Sequence, residues 1–488
     1  MSLEVPFKFR YKPYGFQGDY LSSQGRRASY GLFWEQGLGK TKGIIDTCAL
    51  LGCEGEIAGA LVLAPNGVHR NWHVSELPEH WPEDAPRMKS FSWSSTSANA
   101  KWHKEEVREL LEFEGFVFLC MSYDALMTDL GKQASWDFIR SRRVMYVADE
   151  SQRIKTPAAK RTKRVINSGV YAPYRRIASG TPMDIPFDIY SQVRFLDPEF
   201  WARELGLGGF TAFKAHFGNW VKAQTAGGRS FDMCTSYRNL DELNQVLATI
   251  SDRRTKDEEL DLPPKVYKRM FHELSPAQRS AYEQLRSETM AFLESGELVT
   301  AELAIVRILR LQQITSGFIN PEAGAAPVRF DPNPRAALLR EVLEDVTRPC
   351  LIWGRFVEDI WVCEAVSRAA GRKPVVWNGD DPAASLDPFH AGEADTFIAN
   401  LESNAREGLT LNEADTTIYY SNTPKLLNRL QSEDRNHRIG QSHSVLYIDL
   451  LAEGTLDPHL LSTLRDKRDT AGTVLGDDVR GWLMEALS

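Results

Sequence analysis

An apolar run, Tyr30-Gly-Leu-Phe-Trp34, passes straight into Glu35-Gln-Gly37-Leu-Gly39-Lys40-Thr41, and a helical pattern then runs to Leu51. Strand, glycine-rich loop and helix in that order gather backbone N–H groups and the positive end of a helix around one point, which favours a bound anion. Lys40 would reach the β and γ phosphates of a nucleotide, and the Thr41 hydroxyl would hold Mg2+. The pattern departs from G-x-x-x-x-G-K-[ST], because position 34 is Trp rather than Gly. A surface turn can also carry Gly-Lys-Thr, so the loop takes its meaning from what accompanies it.

Two further segments give it that meaning. Tyr146-Val-Ala-Asp149-Glu150 ends an apolar run in two carboxylates. Such a pair is costly unless the charges meet a cation or a polar cleft. In phosphoryl transfer the first acid holds Mg2+ and the second orients the attacking water. Near the carboxyl end stands Gln431-Ser-Glu-Asp434-Arg435-Asn-His437-Arg438-Ile-Gly440-Gln441. Its two arginines, three residues apart, are expected to share one helical face, in a polar run expected to stay out of a buried core.

A chain of 488 residues exceeds what one hydrophobic core supports, so two or three domains are expected. Short apolar runs at 60–64, 116–120 and 144–148 alternate with helical patterns at 41–51 and 100–112. That alternation implies a parallel sheet covered on both faces. A second alternating region spans 336–465, with candidate strands at 350–353, 374–377, 395–399, 417–420 and 445–448. Between the two, residues 200–319 look largely helical, and 320–334 should be a loop.

The six cysteines show no C-x-x-C spacing and no paired histidines, which argues against zinc and against a disulfide framework. No signal-peptide pattern and no apolar run of membrane-spanning length is present, so an intracellular, non-secreted protein is expected. The net charge of −8 does not advertise nucleic acid. Local stripes decide phosphate contact, however, and Lys155, Lys160, Arg161, Lys163 and Arg164 form one directly after the acidic pair.

Taken in chain order, these segments resemble the helicase-like motifs of Swi/Snf-type superfamily 2 DNA-dependent ATPases. Phe16-Gln17 is similar to the adenine-reading glutamine motif and Glu35 to Thr41 to motif I. Leu63-Ala-Pro65 through Asn71-Trp72 resembles motif Ia, Ser122-Tyr123 motif Ib, Asp149 through Lys155 motif II, and Ser179-Gly-Thr-Pro182 motif III. Arg253-Arg-Thr-Lys256 through Leu262-Pro-Pro-Lys265 is similar to the stretch this family places between its lobes. Ile352-Trp-Gly-Arg-Phe356 resembles motif IV, Asn404 to Leu411 motif V, and Gln431 to Gln441 motif VI. Departures include Gln36 for a usual methionine, Ser151-Gln152 for a small residue and histidine, and Glu407 for a common glycine.

The resemblance implies an α/β fold: two RecA-like parallel-sheet lobes of the P-loop NTPase type, with helical insertions between them. Lobe one would occupy 1–200, the insertion and linker 201–335, and lobe two with a helical tail 336–488. ATP and Mg2+ would be held by Gln17, Gly37, Gly39, Lys40, Thr41, Gly408 and Gln431, with Thr41 and Asp149 on the metal. Lys40, Asp149, Glu150 and the arginine fingers Arg435 and Arg438 would carry catalysis.

Duplex or branched DNA would be the partner, gripped by its backbone with little sequence preference. Pro65, Ser122 and the five basic residues of the stripe are candidate contacts. The expected activity is ATP-dependent translocation by a compact, monomeric motor of bacterial or phage type, cytoplasmic and DNA-associated. A strand-separating helicase, a motor subunit of a nuclease or restriction complex, and an ATP-gated clamp are the rivals.

Overall fold

A computed structural model describes residues 5–224, 230–294, 301–320, 326–377, 379, 381–403 and 409–469. The chain divides into two compact units, 1–218 with 237–261, and 219–236 with 262–488.

The first unit is built on a sheet of β1 (Ser29–Trp34), β2 (Gly59–Ala64), β3 (Met88–Ser92), β4 (Phe116–Ser122), β5 (Val144–Asp149) and β6 (Tyr174–Ala178). The seventh member is β9 (Ser251–Arg254); between β6 and β9 in the chain, β7 (Gly218–Gln224) and β8 (Ser230–Tyr237) pair with each other in a two-stranded sheet that groups with the second unit. The order is β3-β4-β2-β5-β6-β1-β9, and every pairing is parallel. β2, β4 and β5 are buried along their whole length, as continuous apolar runs covered on both faces must be. All strands being parallel, their carboxyl ends lie on one edge, where ligands of open α/β sheets gather. The loop after β1, Pro65 after β2, Ser122 at the end of β4, Asp149 at the end of β5 and Ser179 after β6 all stand there.

The second unit repeats the scheme. Its sheet joins β10 (Lys265–His272), β13 (Cys350–Gly354), β14 (Pro374–Val376), β15 (Thr396–Asn400), β16 (Thr416–Tyr419) and β17 (Val445–Ala452). A small ladder, β11 (Phe318–Ile319) with β12 (Val328–Arg329), stands apart. The order is β10-β17-β16-β13-β15-β14, again all parallel. Alternation along β13 shows how both faces are used. Cys350 and Ile352 join a core with Leu339, Ile360, Ile418 and Ile448. Leu351 and Trp353 join one with Phe389, Phe397, Tyr419 and Tyr447.

One expectation is corrected. Residues 200–319 are not largely helical, because the β7–β8 hairpin, β9 and β10 interrupt them. β9 adds to the first sheet with Gly31 opposite Ser251, and β10 to the second with Lys265 opposite Val445. Both are edge strands that periodicity does not announce: β9 is wholly polar, and β10 sets Val, Tyr, Met and Phe among four basic residues without regular alternation. The stretch expected between the lobes thus divides: Arg253 to Lys256 belong to the first unit and Leu262 to Lys265 to the second.

Candidate active site

Trp34, where the phosphate-loop pattern has glycine, is a packing residue. It is wholly buried, meets the rings of Phe16 and Tyr20 edge-on, and donates Nε1–H to Asp252 Oδ2 at 2.8 Å. Gly43 makes room for it; a Cβ there would come within 3.0 Å of the indole. The turn that follows needs Gly37 and Gly39, with φ of 84° and 71°, in the left-handed region that side chains disfavour. At Gly39 a Cβ would also lie 2.4 Å from Gln17 Nε2.

Gln17 is therefore wedged against the loop. Its Nε2 donates to Leu38 O and its Oε1 accepts from Tyr14 N, each at 3.0 Å. Lys40 Nζ donates to Trp34 O at 2.9 Å and to Glu35 O at 3.3 Å, curling over the loop that an anion would fill. Thr41 stands in the first turn of the helix Lys40–Cys53. The Arg253-to-Lys256 segment supports the same loop: Glu35 N donates to Arg254 O at 2.9 Å, and Lys256 N to Glu35 Oε2 at 3.0 Å.

Asp149 is 6% exposed. Trp72 Nε1 donates to its Oδ2 at 2.9 Å, Glu150 N to its Oδ1 at 3.0 Å, and Tyr123 OH to its carbonyl at 2.7 Å. Burial, then the Glu150 charge, push its carboxyl up to about 6, against the Trp72 hydrogen bond and the nearby Lys40 charge. A carboxylate so placed is prepared for a cation. Trp72 opens a π-helical turn, Trp72–Glu76, a geometry that recurs at functional sites. Trp72 and Tyr123 fall within recognised motifs, but no residue pattern assigns them to Asp149, because the contacts bridge three strand ends.

Glu150 adopts φ 50°, an uncommon conformation for a non-glycine residue, stored where surrounding contacts over-determine it. Those contacts are visible. Gln152 Nε2 donates to Glu150 Oε2 at 2.7 Å, Ser179 Oγ donates to Gln152 Oε1 at 2.7 Å, and Thr181 N donates to Ser179 Oγ at 3.1 Å. An amide offers donor and acceptor at once, so Gln152 in the usual histidine position bridges motifs II and III without a tautomer choice.

The candidate DNA residues differ in how they are engaged. Pro65 is buried, and its carbonyl accepts from His69 N at 3.2 Å. Ser122 is 7% exposed and its Oγ accepts from Ala125 N at 3.0 Å. Lys155 is held by Asp184 and Asp188 at 2.6 and 3.0 Å, Arg161 pairs with Asp124, and Arg164 donates to Leu126 O at 2.7 Å. Lys160 and Lys163 are exposed on the helix Lys160–Gly169.

In the second unit two expectations are corrected. The helix Leu426–Glu433 ends before the arginines, so Arg435 and Arg438 share no helical face. They converge otherwise, both donating through NH1 to Leu409 O, at 2.8 and 3.2 Å. Nor does the polar run avoid burial. Gln431, Ser432, Glu433, Arg435, Asn436, His437 and Gln441 are all buried. Burial is tolerated because partners are supplied. Asn436 Nδ2 donates to Ala414 O and Thr417 Oγ1, and Gln441 Nε2 to the carbonyls of Asn412, Ala414 and Asn436. Gln431 is 1% exposed with Oε1 unpartnered. Gly408, expected at the nucleotide, lies outside the described residues, as do its neighbours 404–407.

Glu433 anchors this segment. Burial alone would raise its carboxyl, but Lys265 and Arg429 outweigh that and hold it at about 2, below the ordinary 4.5. With the folded value depressed, its contribution to stability is complete above about pH 4.5 and is lost as pH falls through about 2. Glu433→Gln is expected to flatten that part of the acid-unfolding curve. It should also cost roughly 3 kcal/mol at neutral pH, because the largely buried Lys265 loses its counter-charge while Arg429 keeps Asp449. Urea titrations of both proteins from pH 2 to 7 check this.

Comparison with known proteins places the arrangement. A family model described as the SNF2-related domain matches residues 22–316, more than half of the chain. The SWI/SNF chromatin-remodeling complex subunit snf22 of Schizosaccharomyces pombe is 26% identical over 473 residues, covering 90% of this chain and 26% of that protein. The DNA annealing helicase and endonuclease ZRANB3 of Mus musculus is 26% identical over 493 residues, covering 96% of this chain and 41% of that protein. This chain thus spans well under half the length of either relative. Among solved structures, the Sulfolobus solfataricus SWI2/SNF2 ATPase core in complex with dsDNA matches with a TM-score of 0.43 and 21% identity, covering 100% of this chain and 97% of that one. With its loop, acidic pair and motif III inside the matched span, the chain belongs to the SNF2-related domain family.

Proposed function

We propose that the chain is an ATP-driven motor that tracks along duplex or branched DNA. One observation carries this reading: Lys40 and the Asp149–Glu150 pair meet at one sheet edge, with the Lys40 charge near enough to favour the ionised Asp149 carboxylate against its burial. The names of the relatives, a chromatin-remodeling subunit and a DNA annealing helicase, favour DNA as the track.

Among the described residues no group of three or more His, Cys, Asp or Glu side chains could cage a metal. One buried carboxylate and the Thr41 hydroxyl suit instead an ion that arrives with phosphates, the usual manner of Mg2+. Asp149 and Thr41 would hold it, and it would neutralise phosphate charge. Gly37, Gly39 and Lys40 cradle the triphosphate. Gln17 keeps the loop in shape and reads adenine, while Gly408 and Gln431 complete the nucleotide's surroundings. Glu150 orients water toward the γ phosphate, and Arg435 and Arg438 stabilise the charge that develops there. Pro65 and Ser122 sit on segments that face the duplex. Lys160 and Lys163 are better placed for phosphate than Lys155, Arg161 and Arg164, whose charges or donors are already engaged.

Trp72→Phe removes the donor at Asp149 while keeping an aromatic ring. It is expected to raise the Mg2+ concentration for half-maximal ATPase by about tenfold, as loss of a supporting hydrogen bond commonly does. Titrating Mn2+ by electron paramagnetic resonance, with ADP present, reads the same change without turnover.

Translocation and strand separation are distinguished by two substrates. With ATP, the protein is expected to displace the third strand of a triplex and leave a forked duplex paired. Unwinding of the fork with the triplex intact would instead establish the helicase reading.

A further inference from the structure

The residues that open the second unit grip the turn that bears the arginine pair. The chain enters this unit at Leu262. One residue on, Pro263 O accepts from His437 Nε2 at 2.8 Å. Two residues later, Lys265 Nζ donates to Glu433 Oε2 at 3.0 Å, and Tyr267 OH reaches the same oxygen at 2.8 Å. Pro264 O accepts from Val445 N at 3.2 Å, starting the β10–β17 register. Tyr267 stacks on Tyr447, whose hydroxyl donates to Glu433 O at 2.9 Å.

Glu433 in turn is fixed from its far side. Arg429 Nε donates to its Oε1 at 2.9 Å, and the Arg429 guanidinium pairs with Asp449 and lies 3.4 Å from the centre of the Tyr419 ring. Glu433 and Arg429 are 3% and 4% exposed. Such a network holds one geometry because each member is satisfied only there. Glu433 immediately precedes the turn, and His437 lies between the two arginines, so both ends of the Arg435 bend are tied to 263–267.

We propose that Lys265, with the Pro263 carbonyl, is a positioning element for Arg435 and Arg438, fixing their turn to the segment that opens the second unit. Lys265 touches no arginine of the pair; it acts through Glu433, and Pro263 acts through His437. The two prolines stiffen the approach, since each fixes its own φ and restricts the residue before it. The inference rests on the arginine roles proposed above.

The test is steady-state ATPase on duplex DNA for Lys265→Met, Arg438→Ala and the double variant, with melting temperature recorded for each. Misplacing a catalytic group by about 1 Å costs on the order of 100-fold. Lys265→Met is therefore expected to lower kcat by about 10- to 100-fold while KM for ATP changes less than about threefold. In the Arg438→Ala background the same change should add little, since the pair it positions is already broken and Arg435 has lost the neighbour with which it shares Leu409 O. Multiplication of the two losses, or a fall in melting temperature with unchanged turnover per folded molecule, would overturn the proposal. Wild-type turnover by Arg438→Ala would overturn the arginine assignment itself, which is a separate and recognisable result. Should Lys265→Met fail to fold, Tyr267→Phe removes one hydrogen bond to Glu433 and leaves the charges. It is expected to lower kcat about threefold or more in the wild-type background only, and equal losses in both backgrounds would count against the proposal.

Discussion

Arg438→Ala is expected to lower DNA-stimulated kcat by about 10³-fold or more while nucleotide affinity changes little, and Arg435→Ala is expected to do the same. An arginine that meets charge only in the transition state contributes roughly 10³–10⁵ in rate, and such an interaction lowers kcat without weakening the ground-state complex. The structure adds a reason to expect comparable losses from either residue. Both guanidinium groups donate to one carbonyl, Leu409 O, so removing one disturbs the setting of the other and the losses should not multiply. Arg435, at 5% exposed, also donates Nε–H to Gln431 O at 2.9 Å. Its replacement should therefore lower thermal stability as well. Fluorescent-nucleotide titration beside phosphate-release kinetics separates binding from turnover for each variant.

Glu150→Gln is expected to abolish turnover, by about 10²–10⁴-fold, while leaving a protein that loads ATP. A positioned general base contributes about that much, and glutamine keeps the shape but not the basicity. The left-handed backbone at Glu150, φ 50°, is strained whichever side chain it carries. Because the strain stays, Glu150→Gln should fold as the parent does. The amide can still meet Gln152 after rotation, so the path to Ser179 and Thr181 persists. ATP-dependent retention on duplex DNA without phosphate release is the expected signature, and a filter-binding assay with unhydrolysed ATP reads it.

Much of this architecture was legible because buried parallel strands advertise themselves. Gly59–Ala64, Phe116–Ser122 and Val144–Asp149 are apolar on both faces, and all were expected within a residue or two. Strands that carry charge were not. Ser251–Arg254 is three-quarters charged, and Arg176 in Tyr174–Ala178 is wholly buried only because Gly25 O and Tyr20 OH accept its protons at 2.8 and 3.1 Å. Such residues look like surface until the partner, far off in sequence, is known.

The same limit governs the site. Lys40, Asp149 and Glu150 emerge as candidates by local pattern, because each lies in a short contiguous segment: strand, loop and helix around Lys40, and an apolar strand ending in two acids. The support around Asp149 does not, since Trp72 and Tyr123 arrive from different strand ends. The run 431–441 was expected to avoid a core because nearly all of its residues are polar. Much of it is buried because segments elsewhere, at 263, 412–417 and 265, supply partners to His437, Asn436, Gln441 and Glu433, and burial of polar groups depends on partners rather than on composition.

The most direct measurement is phosphate release from ATP by the purified chain at saturating duplex DNA and without DNA, beside Lys40→Ala as the control. A rate that rises at least several-fold with duplex and vanishes in Lys40→Ala is the predicted result. Hydrolysis indifferent to DNA, or surviving the loss of Lys40, would contradict the account.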